Sequence, residues 1–367
     1  MPRPTTAERK PSKIERWLND HVFKVPVMQK ILFIHNLSIM VKAGLSIVDG
    51  LRILAEQVEN KQLKTVIGEI KGLVEKGQQL SEALTNYPQV FPPIYVSMIG
   101  AGETAGKMEE ALTQVSDQMK KSHELTAHIK GALIYPAVVL IAMGGIAIEM
   151  VVFVLPKILG MFEELHADLP LSTRVLIAIV NTVQHYGFFI AIGVIALIFL
   201  CVWLMKKPKI RSVVHGFLLT LPIIGLVIKK INIARFTLTL SSLLQSAIPI
   251  IDAVKITAGV EGNVRYRDSL LSSSESLKKG EALSDALART PKLFPPMVVQ
   301  MIMVGEQSGE VEGMLKELAE YYSNEVDMTM KNFSTIIEPI LILMLGAGVA
   351  GIAVSVIMPI YSLTQSF

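Results

Sequence analysis

Cysteine is nearly missing from this chain: Cys201 is the single one in 367 residues. That excludes an intrachain disulfide and a thiolate metal cluster, and it leaves the redox compartment unread. Aromatic residues make up only 6% and charged residues 18%, while hydrophobic residues reach 51%. The apolar excess is therefore Ile, Leu, Val, Ala and Met, which suits helical bundles and membrane helices better than β-sandwiches. A net charge of +3 is too small to argue for nucleic acid. Chemistry-bearing motifs are scarce as well. AGETAGKM, residues 101–108, resembles a phosphate loop, but Ala101 stands where the first glycine belongs and Met108 where Ser or Thr belongs. The histidines fall at no metal-ligand spacing: His123 and His128 have no matched partners. No Gly-x-Ser-x-Gly elbow occurs. The residues thus point to no enzyme, no cofactor and no metal.

What the chain does have is apolar length. LIYPAVVLIAMGGIAIEMVVFVL (Leu133–Leu155), YGFFIAIGVIALIFLCVWLM (Tyr186–Met205) and PILILMLGAGVAGIAVSVIMPIY (Pro339–Tyr361) are each long enough to cross a bilayer as a helix. No Asp or Glu falls between 206 and 235, where Lys206, Lys207, Lys209, Arg211, Lys229, Lys230 and Arg235 gather. Positive charge stays on the cytoplasmic side. The N-terminus and 206–337 are therefore expected in the cytoplasm, and the loop 157–174 and the C-terminus outside. The basic, polar N-terminus has no apolar core of signal-peptide type.

The second feature is a repeat. FPPIYVSMIGAGETAG (91–106) returns as FPPMVVQMIMVGEQSG (294–309), 203 residues later. At that offset Phe33 falls on Phe236, Asp49 on Asp252, Gly77 on Gly280, Pro136 on Pro339 and Pro156 on Pro359. Between Lys76 and Leu112, 18 of 37 positions are identical, where chance gives roughly one in fifteen. This is an internal duplication, and it suggests a pseudo-twofold pair of domains. Each copy is a cytoplasmic domain followed by a span, and the extra middle span returns the chain so that both copies start on one side.

The pattern inside each copy is helical. Phe33, Leu37, Met40 and Val41 recur at three- and four-residue steps, and Gly44 or Ala247-Ile248-Pro249 ends that run. Gly77 and Gly280 read as helix C-caps. Pro92-Pro93 and Pro295-Pro296 fit first helical turns, behind Phe91 and Phe294. Gly102, Gly106, Gly305 and Gly309 bracket tight links that need left-handed or very close backbone. About six helices per copy result. The fold class is an all-α membrane protein: two duplicated six-helix cytoplasmic bundles plus three transmembrane helices. The expected boundaries are a basic tail with an amphipathic helix (1–30), repeat 1 (31–131), span one (132–156), an outer loop (157–174), span two (175–205), a basic linker with repeat 2 (206–337), span three (338–361) and an outer tail (362–367). In the tail, Ile14, Trp17, Leu18, Val22 and Val25 share a face that would lie on the membrane surface or on the bundle.

Three groups carry functional expectations. Glu103 and Glu306 recur at the turn. They read either as partner or cation contacts, or as acceptors for backbone N–H groups at the following helix start; the structural reading is favoured. Glu149 lies inside span one, where a carboxylate needs a partner or a water-filled cavity; Asn181, Gln184 and His185 are candidates to supply one. The stretch from Glu306 to Asp327 is acidic, with Glu310, Glu312, Glu317, Glu320 and Glu325 against Lys316. This patch and the basic 206–235 segment would steer different partners, or be a solvated face and a topology signal respectively.

Together, the doubled FPP and G-E-x-x-G stretches, the three spans, and Pro136 and Pro339 at the start of spans one and three resemble the type II secretion F / type IV pilus assembly PilC family of inner-membrane platform proteins. The resemblance covers roughly 31–363. It implies a non-enzymatic, multi-pass protein of the bacterial inner membrane that couples a cytoplasmic hexameric ATPase to assembly of pilin-like subunits into a filament. It implies contacts with other inner-membrane assembly proteins, self-association, and no direct nucleic-acid partner. The alternative is an ion channel or transporter built on Glu149.

Overall fold

The structure is a computed structural model, and it describes residues 25–157 and 171–365. The amphipathic segment before Val25 and most of the 157–174 loop lie outside the described residues. Among the described residues the chain is helical throughout, with no strand. The helices are α1 (Val27–Lys42), α2 (Ile47–Gln57), α3 (Lys61–Glu75), α4 (Leu80–Thr85), α5 (Pro93–Thr104), α6 (Met108–Glu149), a π-helical turn (Met150–Val154), α7 (Leu171–Met205), α8 (Pro208–Thr220), α9 (Ile224–Gln245), α10 (Ile250–Val260), α11 (Val264–Lys278), α12 (Leu283–Ala288), α13 (Pro296–Ser308) and α14 (Val311–Gln365). The duplication is visible element by element: α1–α6 return as α9–α14.

The chain forms two units. The first holds residues up to Glu124 together with Asn232–Tyr321, so both repeats share it. In each repeat an aromatic pair sits at the centre: Phe33 against Phe91 (5.8 Å) and Phe236 against Phe294 (5.3 Å). All four rings are buried, each burial being worth about 1.5–3 kcal/mol. The prolines after Phe91 and Phe294 start α5 and α13, where a missing N–H costs nothing. Repeat 2 adds Tyr266 where repeat 1 has Leu63; its ring lies 5.4 Å from Phe294 and its hydroxyl donates to Leu293 O at 2.7 Å.

The repeats meet through different faces rather than across a pseudo-twofold axis. Ser242 and Ser246 of α9 donate their hydroxyls to Gln118 and Gln114 of α6, at 2.6 and 2.8 Å. Ile94 and Ser97 of α5 share a groove with Ile248, Asp252 and Lys255 at the start of α10. The back of repeat 1 (α5, α6) thus lies on the front of repeat 2 (α9, α10). A twofold would make the same two residues meet reciprocally; instead Ile39 and Tyr321, the counterparts of Ser242 and Gln118, are both exposed.

The second unit, Leu125–Ile231 and Tyr322 onward, holds the apolar lengths. Among the described residues three helices are long and apolar enough to cross a membrane: α6 continued to Lys157, α7 from Val180, and α14. Their large side chains stand unburied, among them Ile141, Phe188, Phe199 and Leu343. In water such exposure is unfavourable; in a bilayer it is the solvated state. α8 and α9, bent at 110°, also satisfy length and composition, but α9 carries the core residues Phe236 and Leu240 and is a bundle helix. One sequence expectation changes here. The last bundle helix and the span are not separate elements: α6 and α14 each serve as both. Pro136 and Pro339, where the apolar lengths begin, therefore stand within continuous helices.

Helix ends follow one chemistry. Gly44, Gly77, Gly106 and Gly280 take φ between 69° and 87°, and each closes a Schellman end; Leu45 N–H reaches Met40 O, for example, at 3.0 Å. Ala247 occupies the position of Gly44 and is forced into the same left-handed geometry, φ 58°, where a Cβ costs roughly 1–2 kcal/mol. Ala247→Gly is therefore expected to stabilise the detergent-solubilised chain by about 1 kcal/mol, and Gly44→Ala to destabilise it by a similar amount. Denaturant titration of both variants checks the opposite signs.

Candidate functional site

The recurring turn is built from its small residues upward. α5 must turn back into α6 within a few residues, and Gly106, φ 69°, makes the reversal. Gly102 lets α6 come close: a Cβ there would stand 2.2 Å from the Ala111 Cβ. Gly309 and Gly305 repeat both roles, with φ 76° and a 2.8 Å approach to the Val311 Cα.

Between each pair of glycines sits the carboxylate. Glu103 Oε1 accepts the Leu80 N–H at 2.7 Å, and Oε2 accepts the Ser81 N–H and hydroxyl at 3.0 and 2.7 Å. Glu306 takes the same bonds from Leu283 N–H, Ser284 N–H and the Ser284 hydroxyl. The carboxylates serve the first turn of the short helices α4 and α12, which lack a side-chain N-cap of their own. This corrects the expected partner: the helix start lies about 22 residues upstream, not in the helix that follows. Negative charge at a helix N-terminus is favourable, and charge-assisted bonds are the stronger class. Both carboxylates are occupied inside the fold.

Glu306 therefore drops out of the acidic surface. Glu325 pairs with Lys230, and Asp327 meets His128 Nδ1 at 2.6 Å, a partner 199 residues away that no local spacing reveals. The basic and acidic stretches thus spend one pair on each other. Glu310, Glu312, Glu317 and Glu320 remain exposed. Glu149 is exposed at the start of the π-helical turn. The structure does not bring it onto the expected partners: His185 Nδ1 is bonded within its own helix, to Asn181 O at 3.1 Å. Among the described residues no group of three His, Cys, Asp or Glu side chains is placed to hold a metal ion.

One titratable residue escaped the sequence reading. Glu261 ends α10, is buried, and has no hydrogen bond to either carboxylate oxygen among the described residues. Desolvation pushes it up to about 8, against the opposing pull of Arg235. The signal was present in the repeat, where the counterpart is the apolar Val58.

Two outcomes follow. Glu103→Gln and Glu306→Gln keep the shape but lose the charge, and each should destabilise the chain by about 1.5–3 kcal/mol, read by denaturant titration; the wild-type value in both variants would remove the carboxylate's role. Glu261 works in the other sense. The folded state holds its proton up to about pH 8 while the unfolded carboxyl releases it near 4.5. Its contribution is full below 4.5 and is lost as pH rises toward 8. Glu261→Gln should flatten that fall, gaining on the order of 2–4 kcal/mol relative to wild type between pH 5 and pH 8. Parallel stability curves for the two proteins would show that the site is solvated.

Comparison with known proteins agrees with this architecture. The family description "Type II secretion system (T2SS), protein F" matches twice, at 33–156 and 236–359. The chain is 33% identical to a type IV pilus assembly protein PilC of Myxococcus xanthus, over 91% of this chain and 80% of that one. It is 35% identical to a type II secretion system protein F of Vibrio cholerae, over 91% and 82%. It is 32% identical to a PilC of Thermus thermophilus, over 90% and 82%. Two family matches falling on the two structural repeats, with relatives aligned along nine-tenths of the sequence, place the chain in the type II secretion system protein F family.

Proposed function

We propose that this chain is the non-enzymatic inner-membrane platform of a type IV pilus or type II secretion machine. On this reading it takes up the action of a cytoplasmic hexameric ATPase and passes it to pilin-like subunits entering a filament. The observation that carries it is the merging of bundle and span. α6 and α14 each begin inside a cytoplasmic-type repeat and end as a membrane-length apolar helix. One element then belongs both to a surface open to soluble partners and to a surface open to membrane-embedded ones. The recurring carboxylates support a role without chemistry of its own, since they hold helix starts. The cluster Lys206, Lys207, Lys209 and Arg211, where α7 gives way to α8, supports a cytoplasmic repeat 2, a cytoplasmic N-terminus and an extracytoplasmic C-terminus. Exposed Glu312 and Glu320 are the proposed ATPase-facing charges.

The test is purification of the tagged chain from its own cells in mild detergent, with mass spectrometry of what accompanies it. A secretion-type ATPase and pilin-like subunits should be recovered. Glu312→Lys with Glu320→Lys should lower ATPase recovery about tenfold and leave the pilin-like subunits unchanged. Recovery of neither partner, together with proton conduction that dies in Glu149→Gln, would replace this reading with that of a channel.

A further inference from the structure

The contact between the repeats uses two different faces, so the duplication leaves one of each face unused. Pairs of equivalent residues show which. Ile94 is 4% exposed but its counterpart Met297 is 41%; Gln118 is 3% but Tyr321 is 45%; Ile248 is 8% but Leu45 is 39%. The covered member of each pair lies in the internal contact. The uncovered members are the front of repeat 1 (Ile39, Lys42, Leu45) and the back of repeat 2 (Met297, Glu317, Tyr321). These are the two halves of the same contact, left open at opposite ends of the pair.

We propose that a second copy of this chain docks there, its repeat 1 front on this chain's repeat 2 back, repeating between molecules the contact made within one. The chemistry at the matched positions fits. Where Ser242 meets Gln118 inside the chain, Ile39 would meet Tyr321, an apolar side chain against an aromatic ring. Where Gln245 lines a groove with Lys107 and Gln114, Lys42 would face Glu310 and Glu317, a cation against two acids. Glu310 stands just before α14 and Glu317 lies seven residues further on, within its first turns; both are exposed. Lys42 is held only by a surface pair with Glu109 at 3.4 Å, with 73% of its side chain exposed, and such a pair costs little to exchange. The contact is heterologous: each copy would offer a different face to each neighbour. Such a contact propagates beyond a two-body dimer, since each copy keeps one open face of each kind. This goes beyond the platform reading, from which it takes self-association alone.

Cysteine cross-linking of the full chain in native membranes tests it, in a Cys201→Ser background, with a short bismaleimide. Ile39→Cys combined with Tyr321→Cys should give a ladder of dimers and higher species. Mixing chains that carry one change each should give dimers only, and either single variant alone should give monomer. Leu45→Cys with Met297→Cys should behave alike. Lys42→Glu should lower the yield about fivefold at low salt, and Glu317→Lys should restore it. Cross-linking of Ile39→Cys or Tyr321→Cys with itself, or a yield no higher than a Glu59→Cys/Tyr321→Cys control, would overturn the proposal. If the ATPase and pilin-like subunits still co-purify in that case, the interface falls and the platform reading stands.

Discussion

Each repeat is closed by one carboxylate reaching backward along the chain. A helix of six residues, as α4 and α12 are, does not hold itself together in water, because nucleation costs more than so few bonds return. Its first N–H groups would also stay unsatisfied. Glu103 and Glu306 answer both problems with three bonds each. The flanking glycines make that reach possible. One admits the next helix at a distance that any side chain would forbid, and the other turns the chain. Gly, Glu and Gly are therefore one device, which is why they travel together in both copies.

That device fixes where the long helices begin. α6 starts at Met108 and α14 at Val311, each just after the glycine turn beside the carboxylate, and each continues into an apolar membrane length. In both copies the turn and the span are joined by unbroken helix. A weakened clamp would therefore loosen the bundle end of a spanning helix before it disturbed any apolar contact in the span.

Much of this was legible in the sequence, for physical reasons. Apolar length, charge asymmetry and an ungapped repeat are one-dimensional signals, so the spans, the duplication and the six-helix count could be read directly. The left-handed glycines could be read too, because a helix end has few chemical solutions. What failed to show depends on folding. The Glu103 partner lies in another helix, and the nearer helix start drew the assignment. Pro136 and Pro339 stand where the apolar lengths begin, but a local pattern does not tell that the bundle helix before each proline runs on through it. His128 and Asp327 share no local pattern. Glu261 was overlooked because an acid beside polar residues looks solvated until burial is known; only comparison with Val58 would have exposed it.

The divergence of the two repeats is itself informative. Their centres kept Phe opposite Phe, proline after Phe, and Glu between glycines. Their fronts did not: Ile39, Lys42 and Ala43 stand where repeat 2 has Ser242, Gln245 and Ser246. The backs changed in concert, with Lys107, Gln114 and Gln118 against Glu310, Glu317 and Tyr321. At these positions the internal contact is one of hydroxyls and amides beside the apolar Ile94 and Ile248, which suits faces held together at high effective concentration by the chain itself. The open faces became an apolar pair and a charge pair, which suits faces that must find each other between molecules. A duplication that began with two interchangeable fronts and two interchangeable backs would mispair. Giving the inner and outer edges different chemistry removes that degeneracy, because an acidic back set against the hydroxyl front, or Lys107 set against Lys42, gains little or repels.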